Sequence, residues 1–589
     1  MYLEHVSSPA DVRALPASAL PALAAEIRSA IVGSTSVIGG HTGSNLASVE
    51  LTIALHRVFE TPRDKIVFDV SHQTYAHKML TGRAAAFLDP ARYGEVSGFS
   101  NPSESEHDLF AMGHTSTSVS LACGLAAARD LAGEKYDVVA VIGDGSLSGG
   151  LAFEGLDNAA ELGSNLIIVV NDNEWSIAPN HGGLYRNLAE LRATHGEAPR
   201  NAFRALGLDY RYLEDGHDIA ALEAALAELR GTDHPVVLHV HTEKGHGYAP
   251  AAGNPEGWHH AVPFDVETGA VLPGAAAHPA DENYANVTGA LLMDWMRTDP
   301  RVVAVNAATP YIMGFTPELR ARAGAQFVDV GIAEEHAVSY ATGLARGGAR
   351  PVLGIYATFL QRAYDQLWHD LCLNAAPVTI LVFGASAFGT PDATHLGFFD
   401  IPMLGSMPGL TYLAPTCIEE YLDMLSWSIE HEGGPVAIRV PVAEGVVSRP
   451  DFARADDYAR GWEVLREGSD VALLALGDFL PLGERVADAL AGRGVSATLV
   501  NPRLATTPDE TLLGRLVARH RVIVTLEDGI LDGGFGERCA RALAADDVRT
   551  LCYGLPRAFV DRYDPDALLA SCGITVEGVV ADALAALEH

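Results

Sequence analysis

Two apolar, β-branched segments that each lead into a polar turn constrain this chain most. The segment DVVAVIG leads to Asp144, the segment NLIIVVN leads to Asn173, and GLAFEGLDNAAELG between them has the composition of a helix. Runs of this kind indicate buried parallel strands, so the whole stretch predicts a βαβ unit. Both strand ends of such a unit open into the same crevice. Asp144 and Asn173 are therefore expected to lie on neighbouring turns.

The polar residues of these turns indicate the chemistry of the crevice. Asp144 lies in the glycine-rich turn GDGSLSGG and Asn173 lies in NDNEWS. Hard oxygen ligands, glycines that allow close backbone approach and a nearby helix N-terminus are typical of a site for Mg²⁺ and a diphosphate. The alternative is a Rossmann-like turn, because GDGSLSG resembles a degenerate G-x-G-x-x-G. An aspartate there would repel a bare pyrophosphate, so we predict an enzyme with a metal-bound diphosphate cofactor.

Composition narrows the class of protein. The 589 residues are enough for several domains, and 48% apolar with 20% charged residues is typical of globular protein rather than disordered chain. The formal net charge of −35 disfavours nucleic acid and anionic membranes as partners. The same negative field opposes anionic substrates, so a phosphate site requires local cations or a metal.

Several features predict a cytoplasmic protein. The six cysteines are scattered without C-x-x-C or ligand spacing, which is typical of reduced thiols. The N-terminal MYLEHVSSPADVRALP lacks a basic stretch followed by an apolar one, so no signal peptide is predicted. No uninterrupted apolar run reaches the ~18 residues typical of a membrane span.

Strand-like and helix-like segments alternate along the chain, which predicts an α/β fold of mostly parallel sheets flanked by helices. Two changes in composition indicate domain boundaries. The first is VLPGAAAHPADEN before the amphipathic YANVTGALLMDWM, and the second is PVAEGVVSRPDFARADDYARG before the strand-like DVALLALG. We therefore predict three domains, at residues 1–275, 283–445 and 460–589.

Several long motifs resemble one enzyme family. The chain is similar to the 1-deoxy-D-xylulose-5-phosphate synthases, which use thiamine diphosphate, in DVSHQTYAHKMLTGR, GFSNPSESEHD, GHTSTSVSLACGLAAARD, EKGHGYAP, VGIAEEHAVSYATGLA, IYATFLQRAYDQLWHD and TLEDGILDGGFGE. The resemblance is collinear and covers essentially the whole chain. It implies a diphosphate-binding domain, a pyrimidine-binding domain and a transketolase C-terminal-like domain, in that order. It also implies thiamine diphosphate and Mg²⁺ as cofactors, pyruvate and an aldehyde as substrates, and a homodimer.

The resemblance assigns the cofactor site residue by residue. Mg²⁺ is expected on Asp144, Asn173 and the backbone carbonyl of Trp175. Glu334, the first glutamate of IAEEHA, is expected to hold a proton at the aminopyrimidine and so activate the cofactor. From the residues alone, Glu334 is equally an acidic first-turn residue of a helix. The residues expected to bind thiamine diphosphate are His72, Gly113, His114, Thr115, Gly145, Ser146, Asn173, Tyr248, Glu334 and Phe359, the last by stacking on the pyrimidine.

Histidines are concentrated in these motifs, and neutral imidazoles can pass protons near neutral pH. The resemblance implies that His41 in GGHTGSN and His395 in ATHLG act with Glu334 as catalytic residues. A lone histidine is more often a core or surface residue, so this assignment depends on the resemblance. The residues expected at the substrate are His41, His259, Tyr356, Arg362, His395 and Arg439.

The expected acceptor pocket departs from the family pattern. One arginine of the family is replaced by Gly384 in FGAS, and a second is replaced by Val442 in RVPV. The acidic segment before the Thr-His pair reads Thr390-Pro391-Asp392, which moves or removes a carboxylate. A charge-assisted phosphate contact is worth about 1.5–3 kcal/mol, so losing two favours an acceptor aldehyde that is less phosphorylated or more apolar. Compensation by other lysines or arginines is the alternative. The segment between Asn180 and His217 is also shorter than is usual in the family.

Two other functions fit the same motifs. A transketolase shares the pattern of Asp144, Asn173 and Glu334, but QRAYDQ, GHTSTS and DVSHQTYAHK are closer to the synthases. A cofactor-binding paralogue without turnover would have little reason to keep Glu334. The sequence leaves open the acceptor, the pathway, and whether the active site lies in one chain or between two.

Overall fold

The computed structural model describes residues 1–275, 283–441, 447–452 and 454–588. The chain divides into two compact units, one formed by Met1–Ala277 with Gly331–Ala333 and the other by His278–Val330 with Glu334–His589. The second unit contains two separate sheets. The division into three domains stays a prediction.

The first unit contains a five-stranded sheet in which every pairing is parallel. Its strands are β1 (Lys65–Phe68), β2 (Val138–Gly143), β3 (Leu166–Asp172), β4 (Asp209–Leu213) and β5 (Pro235–His241), in the spatial order β1–β2–β3–β5–β4. Its helices are α1 (Pro9–Ala14), α2 (Leu20–Ile38), α3 (Gly43–Ala47), α4 (Val49–Val58), α5 (Tyr75–Lys78), α6 (Ala85–Leu88), α7 (Ser118–Ala132), α8 (Gly150–Ala159), α9 (Gly183–Ala193), α10 (Ala202–Ala205), α11 (Ile219–Leu229) and α12 (Ala249–Ala252). The predicted βαβ unit is present as β2, α8 and β3.

Both faces of this sheet are covered, as the apolar strand sequences predict. Successive side chains of a strand point to opposite faces. In β2, Val138, Ala140 and Ile142 pack in a core with α7 and α8, whereas Val139 and Val141 pack in a second core with α4 and α11. Apolar side chains therefore occupy the strands themselves, and the polar residues of the candidate site lie in the turns that follow.

The second unit begins with a six-stranded, all-parallel sheet. Its strands are β6 (Val302–Asn306), β7 (Phe327–Asp329), β8 (Arg350–Tyr356), β9 (Thr379–Phe383), β10 (Thr411–Leu413) and β11 (Val436–Arg439), in the order β10–β11–β9–β8–β6–β7. Its helices are α13 (Tyr284–Thr298), α14 (Pro317–Ala323), α15 (Glu334–Arg346), α16 (Ala357–Leu360), α17 (Asp400–Leu404) and α18 (Ile418–Glu430), with a π-helical segment at Gln366–Cys372.

The third sheet is parallel except at one edge, where β12 and β14 run antiparallel. Its strands are β12 (Glu463–Arg466), β13 (Val471–Ala475), β14 (Ala497–Asn501), β15 (Val522–Ile530) and β16 (Arg549–Leu555), in the order β12–β14–β13–β15–β16. Its helices are α19 (Leu480–Ala491), α20 (Glu510–Val517), α21 (Phe535–Ala542), α22 (Pro565–Ser571) and α23 (Val576–Glu588). The predicted fold class is confirmed: α/β, with three mostly parallel sheets flanked by helices.

One segment, Pro565–Glu588, is long and apolar enough by composition to cross a membrane. In the structure it is two helices, α22 and α23, separated at Gly573, which has a left-handed φ of 72°. Each helix is shorter than the ~20 residues that a crossing requires. Val579, Ala583 and Ala586 of α23 are buried in the same core as Leu490. These helices are therefore core helices of the second unit.

Candidate active site

The turns after β2 and β3 lie side by side at the carboxyl edge of the first sheet. Gly143 pairs with Asn171 across the two strands, so both turns start at the same level. Asp144 is buried and begins a 3-10 turn, Asp144–Ser148. The Oδ1 of Asn173 accepts from the backbone N–H of Trp175 at 3.2 Å. The adjacent placement of Asp144 and Asn173 agrees with the sequence argument, and their role as metal ligands stays a prediction.

Asp172, the last residue of β3, is a site residue that the sequence argument missed. Burial and the neighbouring Asp172 raise the pKa of Asp144 well above its ordinary value. Burial also acts against ionisation of Asp172, but a hydrogen bond from His239 at 2.8 Å and an ion pair with Arg192 lower its pKa. Asp172 therefore already has its counter-charges, and a bound cation would act most strongly on Asp144.

The turn after β2 is packed too closely at Gly145 to accept a side chain. A Cβ atom added at Gly145 would lie 2.7 Å from the Cβ of Ser176. The Oγ of Ser116 donates to the carbonyl of Ser146 at 2.7 Å, so the GHTS loop lies against the same turn. A close-packed glycine turn, a buried carboxyl and an amide oxygen fit a metal-bound diphosphate. The predicted cofactor residues of the GHTS loop are Gly113, His114 and Thr115.

Four of the nine non-glycine residues that have left-handed backbone in the described part of the chain lie in the turns around this site. Val70 and Ser71 after β1 have φ of 58° and 68°, Ser116 has 74°, and Glu174 after β3 has 71°. The buried carboxylate of Asp69 accepts from the backbone N–H of Ser116 at 2.8 Å and so fixes that conformation. Such residues cost about 1–2 kcal/mol each and are typical of functional sites.

Four histidines form a cluster in the first unit. The ring centroid of His41 lies 5.0 Å from that of His72, 5.4 Å from His259 and 4.8 Å from His260. Burial lowers the pKa of His259 and of His260, and the nearby charge of Lys244 lowers that of His259 further. Both imidazoles are therefore neutral near pH 7. His260 was not predicted, although it is the second histidine of an adjacent pair.

Asn45 fixes the turns that carry two of these histidines. Its Nδ2 donates to the carbonyl of His41 at 2.6 Å and to that of His72 at 2.7 Å. One amide thus holds two turns that are distant in sequence. The structure therefore brings together the predicted residues His41, His72 and His259.

Lys244 links the histidine cluster to the turn that follows β3 and is a second site residue that the sequence argument missed. Its Nζ donates to the carbonyl of Ser176 at 2.6 Å and lies 3.4 Å from the Nδ1 of His259. Burial lowers the pKa of Lys244 to about 7, although the charge of Asp144 opposes this. A cleft of about 600 Å³ opens here, lined by Lys244, Asn173 and Trp175 among others. Lys244 follows β5, so the strand-end argument applied to EKGHGYAP would have found it.

Tyr248 is engaged in local packing. Its ring lies 5.2 Å from that of Trp258 and 6.1 Å from that of Phe264, and its hydroxyl donates to the carbonyl of Val266 at 2.9 Å. The structure thus gives Tyr248 a packing role, and its predicted contact with the cofactor gains no support from this placement.

In the second unit, Glu334 is buried at the first position of α15. The Nη1 of Arg362 donates to its Oε2 at 3.2 Å. Burial raises the pKa of Glu334, although the charge of Arg362 opposes the rise. A carboxyl that keeps its proton can donate it to a ring nitrogen, which suits the predicted catalytic role. Arg362, predicted at the substrate, lies beside this carboxyl.

Three further predicted residues meet in the second unit. The ring of Phe359 lies 5.7 Å from that of Tyr356 and 5.6 Å from that of His395, both edge to face. The Oγ1 of Thr394 donates to Asp392 at 2.6 Å and lies 2.8 Å from the Nδ1 of His395. The carboxylate that the sequence moves to Asp392 therefore still reaches His395 through a hydroxyl.

Comparison with known proteins identifies the family. A family model described as 1-deoxy-D-xylulose-5-phosphate synthase matches residues 3–199. Models described as the pyrimidine binding domain and the C-terminal domain of transketolase match residues 282–445 and 461–579. Proteins named 1-deoxy-D-xylulose-5-phosphate synthase from Pelotomaculum thermopropionicum and Desulforudis audaxviator are each 41% identical, over 98% of this chain and 96% of their own. 1-Deoxy-D-xylulose-5-phosphate synthase 1 of Geobacter sulfurreducens is 40% identical over the same shares.

The chain belongs to the 1-deoxy-D-xylulose-5-phosphate synthase family. This confirms the predicted resemblance and the predicted class of enzyme, a thiamine-diphosphate-dependent transferase.

Gly384, where the resemblance to the family predicts an arginine, follows β9 with a left-handed φ of 67°. A Cβ atom added there would lie 3.1 Å from the Cδ1 of Tyr356. A side chain at position 384 would therefore reach the aromatic cluster of Tyr356, Phe359 and His395. The second changed position, Val442, lies outside the described residues.

Arg439, predicted to contact the substrate, is instead buried in an ion-pair network. Its guanidinium pairs with Asp400 and with Asp528, and the residue is 4% exposed. Two carboxylates already match its charge, so the predicted contact with the substrate gains no support from this placement. The sequence could not show this, because both partners are far from Arg439 along the chain.

Proposed function

We propose that this member of the synthase family is a Mg²⁺-dependent carboligase with an altered acceptor. It removes CO₂ from pyruvate and joins the remaining two-carbon unit to an aldehyde that is less phosphorylated, or more apolar, than glyceraldehyde 3-phosphate. The observation that carries the altered acceptor is Gly384, whose missing side chain would lie against the ring of Tyr356. An arginine at position 384 would place a phosphate-binding guanidinium beside this aromatic cluster, whereas glycine has no side chain that could bind phosphate.

The residues of the first unit would hold the cofactor. Asp144, Asn173 and the carbonyl of Trp175 would bind Mg²⁺, and the Gly145 turn and the buried Lys244 provide the surroundings that a diphosphate requires. When bound, thiamine diphosphate supplies a thiazolium that takes up the electron pair released as pyruvate loses CO₂.

Ionisable side chains of this protein would carry out the proton transfers. Glu334, whose pKa is raised by burial, would hold a proton at the aminopyrimidine nitrogen. His41 and His395 would each pass a proton to or from a substrate oxygen. Because burial lowers the pKa of His259 and of His260, both imidazoles would be neutral. Neither would then place a positive charge beside His41.

The acceptor is tested with the purified protein, thiamine diphosphate, Mg²⁺ and pyruvate. CO₂ release and product mass are measured with glyceraldehyde 3-phosphate, with glyceraldehyde and with apolar aldehydes. We expect CO₂ release, and a kcat/KM at least about tenfold higher for a non-phosphorylated aldehyde, since one phosphate contact is worth roughly 1.5–3 kcal/mol. Efficient use of glyceraldehyde 3-phosphate would contradict the altered acceptor, and ketol transfer without CO₂ would indicate a transketolase.

We also propose a homodimer in the cytoplasm. All six cysteines lie in the described part of the chain and are free thiols, which supports a reducing compartment. Light scattering on the purified protein tests the dimer, and a monomeric mass at micromolar concentration would contradict it.

A further inference from the structure

The segment between Asn180 and Ala193 forms a cap over the metal turns of the first unit. It consists of a short loop and α9, and it lies in the part of the chain that is shorter than is usual in the family. We propose that this cap segment positions the metal ligands, with Arg192 as the positioning residue for Mg²⁺ binding. The proposal rests on the proposed function, because it takes Asp144 and Asn173 as the ligands.

The cap segment contacts the turn after β2 at two points. The Nδ2 of Asn180 donates to the Oδ2 of Asp144 at 2.7 Å. The hydroxyl of Tyr185 donates to the carbonyl of Gly145 at 3.2 Å. These bonds hold one carboxylate oxygen of Asp144 and orient the backbone beside it.

Arg192 forms ion pairs with the two acidic residues that flank Asn173 in the turn after β3. Its Nη1 pairs with the carboxylate of Asp172, and its Nη2 lies 3.0 Å from the Oε2 of Glu174. The oxygen of Asp172 that pairs with Arg192, Oδ2, is also bound by His239, whose Nε2 lies 2.8 Å from it. A planar guanidinium can hold two carboxylates at fixed spacing, which a single ammonium cannot do.

The cap segment is itself anchored in the core. Leu188 and Leu191 of α9 are fully buried and pack with Phe203 and Leu208. The ordering of α9 is therefore stabilised by apolar packing and does not depend on a bound ion. Because one anchored segment holds both turns, the spacing of Asp144 and Asn173 is fixed before a cation binds. Partners of this kind around metal ligands raise metal affinity by about 10–100-fold.

The test compares three variants, and the conservative Arg192→Lys, with the intact protein. Arg192→Ala removes the ion pairs with Asp172 and Glu174. Tyr185→Phe removes only the hydroxyl that donates to the carbonyl of Gly145. Arg186→Ala is the matched control, because Arg186 is an exposed arginine of the same helix and its loss changes the net charge equally. Mg²⁺ binding is measured by calorimetry at saturating thiamine diphosphate, and the thermal midpoint is measured without Mg²⁺.

We expect Arg192→Ala to weaken Mg²⁺ binding by about 10–100-fold, Tyr185→Phe to weaken it several-fold, and Arg186→Ala to leave it within about twofold. Arg192→Lys should recover only part of the loss. A lower thermal midpoint with unchanged Mg²⁺ affinity would overturn the proposal, because it indicates a purely structural role. If Arg192→Ala does not fold, unchanged binding in Tyr185→Phe overturns it. Absence of Mg²⁺-linked cofactor binding in the intact protein would instead contradict the proposed function itself.

Discussion

The guanidinium of Arg362 donates to the carboxyl of Glu334 at 3.2 Å, at the start of α15. Burial and this cation act on the carboxyl in opposite directions, and burial has the larger effect, since the pKa of Glu334 is raised. The carboxyl therefore keeps its proton to higher pH than an ordinary glutamate. It also has a partner that limits how far the pKa rises.

Glu334→Gln removes the ionisable carboxyl proton but keeps the shape of the side chain. We expect kcat for CO₂ release from pyruvate to fall by about 10²-fold or more, because proton transfer at a positioned group contributes about 10²–10⁴-fold. Thiamine diphosphate affinity should stay within a few-fold. The control is Glu335→Gln, the neighbouring glutamate on the same helix. Equal activity in both variants would remove Glu334 from the mechanism.

His41→Ala and His395→Ala each remove an imidazole that is proposed to pass protons. Steady-state kinetics should show a fall in kcat of about 10²-fold or more in each variant, while calorimetry shows cofactor binding close to that of the intact protein. His336→Ala, at an exposed position on α15, is the control. Turnover that survives in both site variants would contradict their assignment.

Gly384→Arg and Gly384→Ala separate charge from backbone strain. Both place an L residue at a φ of 67°, and both place a Cβ 3.1 Å from the Cδ1 of Tyr356. The strain, about 1–2 kcal/mol, is common to the two variants. Only the arginine adds a phosphate ligand, so its KM for glyceraldehyde 3-phosphate should be about tenfold or more below that of the alanine variant. Equal KM values would show that position 384 does not contact the acceptor.

Asp528→Asn leaves the buried Arg439 with one carboxylate instead of two. The buried guanidinium keeps its pair with Asp400 but loses one charge-assisted hydrogen bond, so the free energy of unfolding should fall by about 1.5–3 kcal/mol in urea titrations. The control is Asp488→Asn, which breaks the exposed pair with Arg466, in which the two side chains are 71% and 42% exposed. That change should lower the free energy of unfolding by less than about 1 kcal/mol. A similar small loss in both variants would contradict the buried network.

Glu527 makes stability depend on pH. Burial raises its pKa to about 8, although its carboxyl accepts the backbone N–H groups of Phe535 and Gly536. Because the folded-state pKa lies above the ordinary value of about 4.3, this contribution to stability is complete below pH ~4.3 and is lost as the pH rises through about 8. Glu527→Gln should therefore flatten the fall in thermal midpoint between pH 5 and 8. An unchanged slope would show that the carboxyl is ionised in the folded protein.

The sequence predicted well those features that depend on local pattern. The strands before Asp144 and Asn173 are apolar and continuous, so their ends, and the turns that follow them, are visible in the sequence. The same argument would have found Lys244 after β5. The end of β5 is harder to recognise in the sequence, because it lies in the less regular VLHVHTEKG.

Features that depend on partners distant along the chain could not be predicted. Arg439 looked like a phosphate ligand because its motif matches the family, and only the fold shows Asp400 and Asp528 against it. Arg192 carries no motif at all, and its position opposite Asp172 follows from how α9 packs on the sheet. Long-range charge pairing is set by packing, and no spacing rule describes it.

The left-handed residues at the strand ends limit how this enzyme can be made more heat-resistant. Val70→Gly would relieve backbone strain, but it would also loosen the turn that leads to His72. A gain in melting temperature there would come with a looser turn beside His72, a residue predicted to bind the cofactor. Leu131, near the end of α7, is 90% exposed and can be exchanged for a polar residue without touching that turn. Thermostability engineering of this protein should therefore begin at sites such as Leu131 and leave the strand-end turns as they are.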